Sequence, residues 1–573
     1  MEKKLFFRVK GGRGFSVNSR KEEGMKTGII ESAQSPAWQA GAPLQMQIVP
    51  ARQRTYSIDG VAVPDIKTEK QPIPDLEEIQ QTDMKYPLVP SNPAKGERVF
   101  AYAHIYFDRR AGELIYNVVE PPVPDQQLLN SIKEYIEEKL DINFSQIRKG
   151  DAINYLNVVF SKALSYFNIK LDKESVEVLR YYVVRDFIGM EKIEPLMQDK
   201  YIEDISCDGV NIPIFVYHRL PQFGSVRTSV TFTNRDELDS FVSKLSERCG
   251  RAISVAKPLL DGTLPNGSRL QATLGSDIAR NGSNFTIRMF SDKPMTPVDL
   301  IKSGTCDLKM MAYFWMLIEH GSSVLISGGT ASGKTSLLNV LSLFIKPQMK
   351  IISIEDTSEI RLPHTHWVPE VARTPISEEG KVDMFELLRE SLRQRPDYII
   401  VGEVRGKEAY VLFQQMAVGH PGLSTIHAEN FSKLVDRMTS PPISLPINLM
   451  ENLDLILFMK RVKQGRKYNR RVFSAIEVAG FDSEAKVPIT NEVFNWEAKS
   501  DDFKTMNTSA LLKKVSGITG LDDAQIAKEL EQRAKVIKWL VKKDITDYRK
   551  IASVIGMFYL SPDFLMGRIE GDI

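Results

Sequence analysis

The chain of 573 residues carries 75 Lys and Arg against 73 Asp and Glu, a formal charge of +2, so no overall field draws it to nucleic acid or to an acidic partner. Its three cysteines, Cys207, Cys249 and Cys306, are odd in number and form no CxxC pair, which argues against a disulfide framework and a cysteine zinc site and fits a reducing cytosol. No run of about 18 uncharged apolar residues occurs and the start, MEKKLFFRVKGGRGF, lacks an apolar signal core, so the expectation is a protein that neither spans a membrane nor is exported.

A chain of this length has room for about three to four domains. Residues 1–95 have little apolar periodicity. Lys3, Lys4, Arg8, Lys10, Arg13, Arg20 and Lys21 make the beginning basic, and prolines recur throughout. Such composition cannot bury enough apolar surface to offset its ordering entropy, so a flexible basic, proline-rich arm is expected. It would touch an anionic membrane surface or a partner; the plainer reading is a solvated tail.

Residues 96–298 read as an α/β domain. RVFAYAHIYFD alternates like a strand and GELIYNVVEP like its hairpin partner. Asp125 caps a helix with Leu128, Leu129, Ile132, Tyr135 and Ile136 on one face, and helices around 154–167 and 172–187 follow. Short β-rich runs, IEDISCDGVNIPIFVYH, SVRTSVTFT and FTIRMF, complete it.

Residues 299–481 alternate strand and helix. The apolar run Val324–Ser327 precedes GGTASGKT, Gly328, Gly329, Thr330, Ala331, Ser332, Gly333, Lys334 and Thr335, and a helical pattern, SLLNVLSLFI, follows. Strand, loop and helix are what a phosphate-binding loop requires. Its glycines turn backbone N–H groups onto phosphates, Lys334 reaches the β and γ oxygens of ATP, and the Thr335 hydroxyl holds Mg²⁺. Beyond it KIISIED, YIIVGE and LSTIHA read as strands, and 383–394 and 407–418 as helices. This predicts βαβ units, a parallel sheet and a ligand at the carboxyl ends of its strands. LDLILFMKRV and RRVFSAIEVAG read as an antiparallel pair closing the sheet. Residues 482–573 read as a helical extension, with Ile526, Leu530, Ala534, Ile537 and Leu540 on one helix face.

Hydrolysis needs a second acid on Mg²⁺ and a group that orients or deprotonates water. Glu403, closing YIIVGE, is the candidate metal acid, with Thr335. Glu355 is the candidate base, while Asp356 and Glu359 taken alone read as cap or turn residues. The two strand ends are expected to flank the phosphate loop. In GHPGLSTIHAEN, His427 is the better candidate for a γ-phosphate sensor and His420 is as well read as structural. Arg269, Arg280 and Arg288 cluster in the preceding domain; a cation approaching the phosphates from there would couple domain position to hydrolysis.

GGTASGKT, IEDTSE, RPDYIIVGEVRGKEA and GHPGLSTIHAEN, in that order, resemble the secretion ATPases of the type II and type IV superfamily. IEDISCDG, PLLDGTLPNGSRLQAT and FTIRMF resemble the same family's N-terminal domain, so the likeness spans about 190–480. Residues 96–190 and the tail are similar to the archaeal branch, which powers archaella and archaeal type IV pili. The resemblance implies a RecA-like P-loop ATPase domain after an α/β N-terminal domain, assembled as a homo-hexamer at the inner face of the cell membrane. ATP and Mg²⁺ would sit between the domains, with Arg269 and Arg288 reaching the phosphates. It further implies a polytopic membrane platform as partner, with archaellum rotation favoured over pilus assembly, and a regulatory ATP-binding partner. The tetracysteine zinc module usual in bacterial pilus-extension enzymes is missing. The competing reading is a RecA-like nucleic-acid translocase, against which stands the lack of a basic domain or nucleic-acid module.

Overall fold

In the structure, a computed structural model, the described residues are 80–139, 149–220, 222–275, 277–290, 293–373, 380, 382–464 and 467–572, all within one compact unit, Met46–Ile573. The arm expected over 1–95 lies outside them up to residue 79. Beyond that point the expectation fails. Asp83–Val89 is a strand, β1, and pairs antiparallel with β2 (Ala101–Asp108). The alternation of DMKYPLV is weak and ends in Pro90, which hid the strand from its sequence.

β1 opens a nine-stranded sheet. β3 is Glu113–Val119, β4 Ile202–Cys207, β5 Pro213–His218, β6 Gly224–Thr231, β7 Leu259–Thr263, β8 Arg269–Thr273 and β9 Asn284–Arg288. Their order is β1-β2-β3-β6-β5-β4-β9-β8-β7. The β2–β3 hairpin is as expected. Gly112 at φ 69 turns it, and the Asp108 carboxylate accepts from the Arg110 N–H at 2.8 Å, the short-range bond that makes Asp a turn former. Residues Ala101, Ala103 and Ile105 face a core shared with Ile205, Val216, Phe241 and Phe285. Three helices, α1 (Gln126–Lys139), α2 (Lys149–Tyr166) and α3 (Lys173–Phe187), form a satellite core of their own. Asp125 and Asp172 cap α1 and α3 through N–H bonds of 3.0 and 3.1 Å, satisfying donors a helix start leaves orphaned. A buried network fastens β1: the Tyr86 and Tyr116 hydroxyls donate to Asp199 Oδ2 at 2.7 and 2.6 Å. His218 Nε2 lies 3.3 Å from the Tyr86 hydroxyl, and burial holds that imidazole down at about 4.

The second sheet carries the phosphate loop. Its strands are β10 (Val324–Gly328), β11 (Ile351–Glu355), β12 (Trp367–Val371), β13 (Tyr398–Val401), β14 (Gly422–Ile426), β15 (Leu455–Gln464), β16 (Lys467–Asp482), β17 (Val487–Glu497) and β18 (Asp502–Thr505). The order is β12-β11-β13-β14-β10-β15-β16-β17-β18. The strands from β12 to β15 run parallel, and β16 to β18 add on antiparallel. β10, β11, β13 and β14 are buried at every residue, as a sheet covered on both faces demands. This is the α/β, RecA-like P-loop ATPase fold expected. Two expectations need correction. Glu355 and Glu403 do not flank the loop: β11 and β13 both lie on the β14 side of β10. Nor is the tail helical from 482. The sheet continues to Thr505, and helices begin at Ala510. Register shifts at Ala475/Ile476 and Val478/Gly480 interrupt the ladder and blur the period-2 pattern that would have revealed β17.

After β18 come α4 (Ala510–Thr519), α5 (Asp523–Lys542), α6 (Tyr548–Leu560) and α7 (Pro562–Asp572). The five apolar positions of α5 expected on one face are all buried. They pack on the helix Leu308–Glu319 that leads into β10, whose Trp315 stacks on Phe344 at 5.2 Å and donates to the Tyr559 hydroxyl at 2.7 Å. Arg533, 2% exposed, is enclosed there between Glu319 and Glu529. Among the described residues no helix is long and apolar enough to cross a membrane.

Candidate functional site

The loop after β10 is shaped by what its glycines exclude. At Gly328 a Cβ would lie 2.4 Å from the Met459 carbonyl oxygen and 2.8 Å from Ser332 Oγ, so the chain passes only without a side chain. Gly333 sits at φ 94 and caps the helix Lys334–Ser342 in the left-handed region, where glycine is unstrained. Ala331 takes φ 57 beside it, a non-glycine conformation of the kind that accompanies function. A concave backbone turn ending at a helix N-terminus is an anion cradle by its own dipoles. The donor set fits a nucleotide's phosphates. Lys334, 7% exposed, donates to the Gly328 and Gly329 carbonyls at 3.2 and 2.9 Å. Burial lowers its ammonium to about 8 against the opposing pull of Glu403.

Beside the loop a chain of charges runs across the carboxyl edge of the sheet. Ser327 Oγ donates to the Ala428 carbonyl at 2.7 Å, fixing the segment after β14. That brings both ring nitrogens of His427 to 3.3 and 3.4 Å from Lys334 Nζ. His427 Nε2 is 3.3 Å from Glu403 Oε1. The Arg405 guanidinium takes Glu403 Oε2 at 2.8 Å and Asp356 Oδ2 at 3.2 Å. Burial pushes the Glu403 carboxyl up, but the bond and charge of Arg405, with His427 and Lys334 behind it, outweigh that and leave it below the usual range. Burial likewise holds His427 below its ordinary value, so it stands neutral between cation and anion.

Glu355 is in the opposite condition. It is 2% exposed. Oε1 accepts from the Glu359 and Ile360 N–H groups at 2.9 and 3.0 Å, and Oε2 is buried with no protein partner. Burial drives its carboxyl up to about 7, although those two N–H bonds oppose the rise. Room for it comes from Gly402, where a Cβ would meet Glu355 Cγ at 3.1 Å. The acidic segment is clamped to the phosphate-loop helix by Asn339, which accepts from the Arg361 N–H at 2.9 Å and donates to the Glu359 carbonyl at 3.3 Å. Two carboxyls driven apart in this way suit two tasks, an ionised metal acid and a proton acceptor poised near neutrality. Thr335 and Glu403 would hold Mg²⁺, which when bound neutralises phosphate charge.

The N-terminal arginines divide. Arg269 is hydrogen-bonded to Asp261 at 2.9 Å, and the charges of Arg405 and Asp356 in the ATPase domain act on it. Arg288 lies opposite Arg269 in the β8–β9 ladder, 3.3 Å from Asp204. Arg280 is exposed on the intervening loop. His420 hydrogen-bonds the Pro396 carbonyl at 3.1 Å, a structural role. Glu359 is exposed; its backbone N–H holds Glu355 and its charge acts on Glu355 and Lys334. Sequence reasoning passed over Arg405, although an arginine two residues beyond a strand-end glutamate was a legible signal. It also passed over Arg361, whose guanidinium lies 4.4 Å from the Phe290 ring of the other domain.

Comparison with known proteins gives the chain a family. A family model described as type II/IV secretion system protein matches residues 192–500, and one described as PilB3-like, C-terminal matches 499–573. The uncharacterized protein MJ0900 of Methanocaldococcus jannaschii is 38% identical over 453 residues, 78% of this chain and 82% of that protein. A second protein of that organism, MJ1287, is 42% identical over 247 residues, 43% of this chain and 92% of its own. Among solved structures, the ATPase DotB of Legionella pneumophila is 15% identical, with a TM-score of 0.37, over 64% of this chain and 95% of that one.

Proposed function

Because the chain belongs to the type II/IV secretion system protein family, we propose that it is an ATP-hydrolysing motor which assembles as a homo-hexamer and drives an archaeal type IV pilus-like filament through a membrane platform protein. The archaellum is the favoured filament. The observation that carries the reading is the unbroken run from the phosphate loop through Lys334, His427, Glu403 and Arg405 to Asp356, with Arg269 of the N-terminal domain at its far end. A cradle alone makes a binding protein. A cradle joined to two differently biased carboxyls and to cations from a second domain is suited to turnover that depends on domain position.

In this reading Lys334 and the loop N–H groups hold ATP. Glu355 accepts the proton of the attacking water, and Glu403 stays ionised beside Arg405. Arg269 and Arg288 approach the phosphates when the domains close. Light scattering of the full chain, with and without Mg²⁺ and a non-hydrolysable ATP analogue, tests the assembly. A nucleotide-promoted hexamer supports the motor, and a monomer under both conditions overturns it. Turnover with anionic vesicles and with DNA then separates a membrane-facing motor from a nucleic-acid translocase, since each should be stimulated only by its own partner.

A further inference from the structure

Arg470, on β16, contacts both the phosphate loop and a carboxylate of the N-terminal sheet. Its Nε donates to the Ala331 carbonyl at 3.3 Å. Its Cδ would stand 3.0 Å from a Cβ at Gly333. Its guanidinium reaches Glu203 on β4 at 3.6 Å. Its cross-strand neighbour on β15 is Arg461, which donates to the Tyr217 hydroxyl of β5 at 2.8 Å. The β15–β16 hairpin thus presents two arginines to adjacent strands of the other domain.

The hairpin is also anchored at the link between the domains. Arg471, 5% exposed, binds Asp501 at 2.9 and 3.1 Å and donates to the Ser303 carbonyl at 3.0 Å. The Val472 N–H bonds the Thr305 carbonyl at 2.8 Å. A side chain held at its base and shared between loop and domain responds to displacement of either. Ala331, the residue it holds, is the strained non-glycine position of the loop.

We infer that Arg470 is a positioning residue that couples the N-terminal domain to the phosphate loop: with Glu203 holding its guanidinium it fixes the loop at Ala331, and movement of β4 changes the loop's grip on nucleotide. The inference rests on the ATPase reading above. It assigns no contact with the reacting atoms.

The test is a double-mutant cycle in the full chain on the Kd of a fluorescent ADP analogue with Mg²⁺, alongside kcat and KM for ATP. Arg470→Ala is expected to weaken binding about three- to tenfold, the size of coupling usual between contacting groups. Glu203→Gln is expected to change Kd at least about twofold with Arg470 present and not at all in the Arg470→Ala background. Equal effects of Glu203→Gln in both backgrounds overturn the coupling, a result that general damage to the fold would give. Arg470→Lys keeps the charge but lacks the Nε donor and should shift Kd in the same direction; a wild-type Kd there overturns the loop contact. Lys334→Ala is the control. If it abolishes binding while the Arg470 variants match wild type, only this inference fails; if wild-type protein neither binds nor hydrolyses ATP, the ATPase reading fails first.

Discussion

Replacing Glu355 by Gln tests the division of labour between the two carboxyls. Glutamine keeps the shape and can still accept both N–H bonds through its carbonyl oxygen, so the fold is retained while the base is lost. With its carboxyl at about 7, Glu355 is about one-tenth ionised at pH 6 and about nine-tenths at pH 8. Wild-type kcat should therefore rise about tenfold across that interval. Glu355→Gln should lower kcat by about 100- to 10,000-fold and flatten the profile, with nucleotide still bound. The same group affects stability with a definite sign. Its carboxyl lies near 7 in the fold against an ordinary 4.5, so the folded state holds the proton more tightly. That contribution is complete below pH 4.5 and is lost as pH rises through 7. It amounts to about 3 kcal/mol, so nucleotide-free Glu355→Gln should melt higher than wild type at pH 8 and no higher at pH 4.5. Pre-steady-state phosphate release and calorimetric melting are the assays. A wild-type rate in Glu355→Gln, or a pH rise that survives the substitution, refutes the assignment and moves the base role to Glu359 or Glu403.

Lys334→Ala should abolish nucleotide binding measured by titration calorimetry, and normal turnover in that variant would remove the phosphate-loop assignment. Arg405→Gln frees both Glu403 and Asp356 and should lower kcat up to about 100-fold, the scale of misplacement in an active site, with a smaller change in KM; an unchanged kcat would confine Arg405 to structure. Arg533→Ala leaves Glu319 with Lys346 alone at 3.5 Å and Glu529 part-exposed without a partner, and should destabilise by about 1–3 kcal/mol, read as a lower melting temperature; an unchanged melting temperature would contradict the enclosure of that side chain. Deleting residues 1–95 strips β1 from the sheet and should broaden and lower the melting transition relative to deletion of 1–79; identical transitions would mean that β1 contributes nothing to the sheet.

The ATPase core was legible because its signals are local. Gly328 to Thr335 announce a conformation, the runs before Glu355 and Glu403 announce buried strands, and Asp383 begins the helix Met384–Ser391 with a capping box that sequence alone can carry. What escaped was set by partners distant in the chain. β1 is a strand because β2 lies beside it and Asp199 receives Tyr86. β17 follows a strand whose ladder is broken by register shifts. Strand order cannot be read from strand identity alone: β11 and β13 are neighbours, and only the fold shows that both lie on one side of β10. Arg470 stands in an unremarkable basic run, and only the fold sets it between Ala331 and Glu203.

The distribution of charge bears on how such a site would be switched. Glu355 and Glu403 follow adjacent strands of a rigid parallel sheet, so their separation cannot change much without breaking a close-packed core. The cations are mounted otherwise. Arg405 lies on a loop, Arg269 on the N-terminal sheet, and Arg470 on a hairpin tied to the link between the domains. Charge effects in a partly buried site fall steeply with distance and exposure to water. A small shift of the N-terminal sheet therefore alters the field at fixed carboxyls more readily than it alters their geometry. Domain position would then set the charge around Arg405 and Asp356, which act on Arg269, before any rearrangement of the core. The testable corollary is that kcat should fall in Arg269→Gln, a variant that leaves the ATPase sheet intact; an unchanged kcat would assign the coupling to steric closure instead.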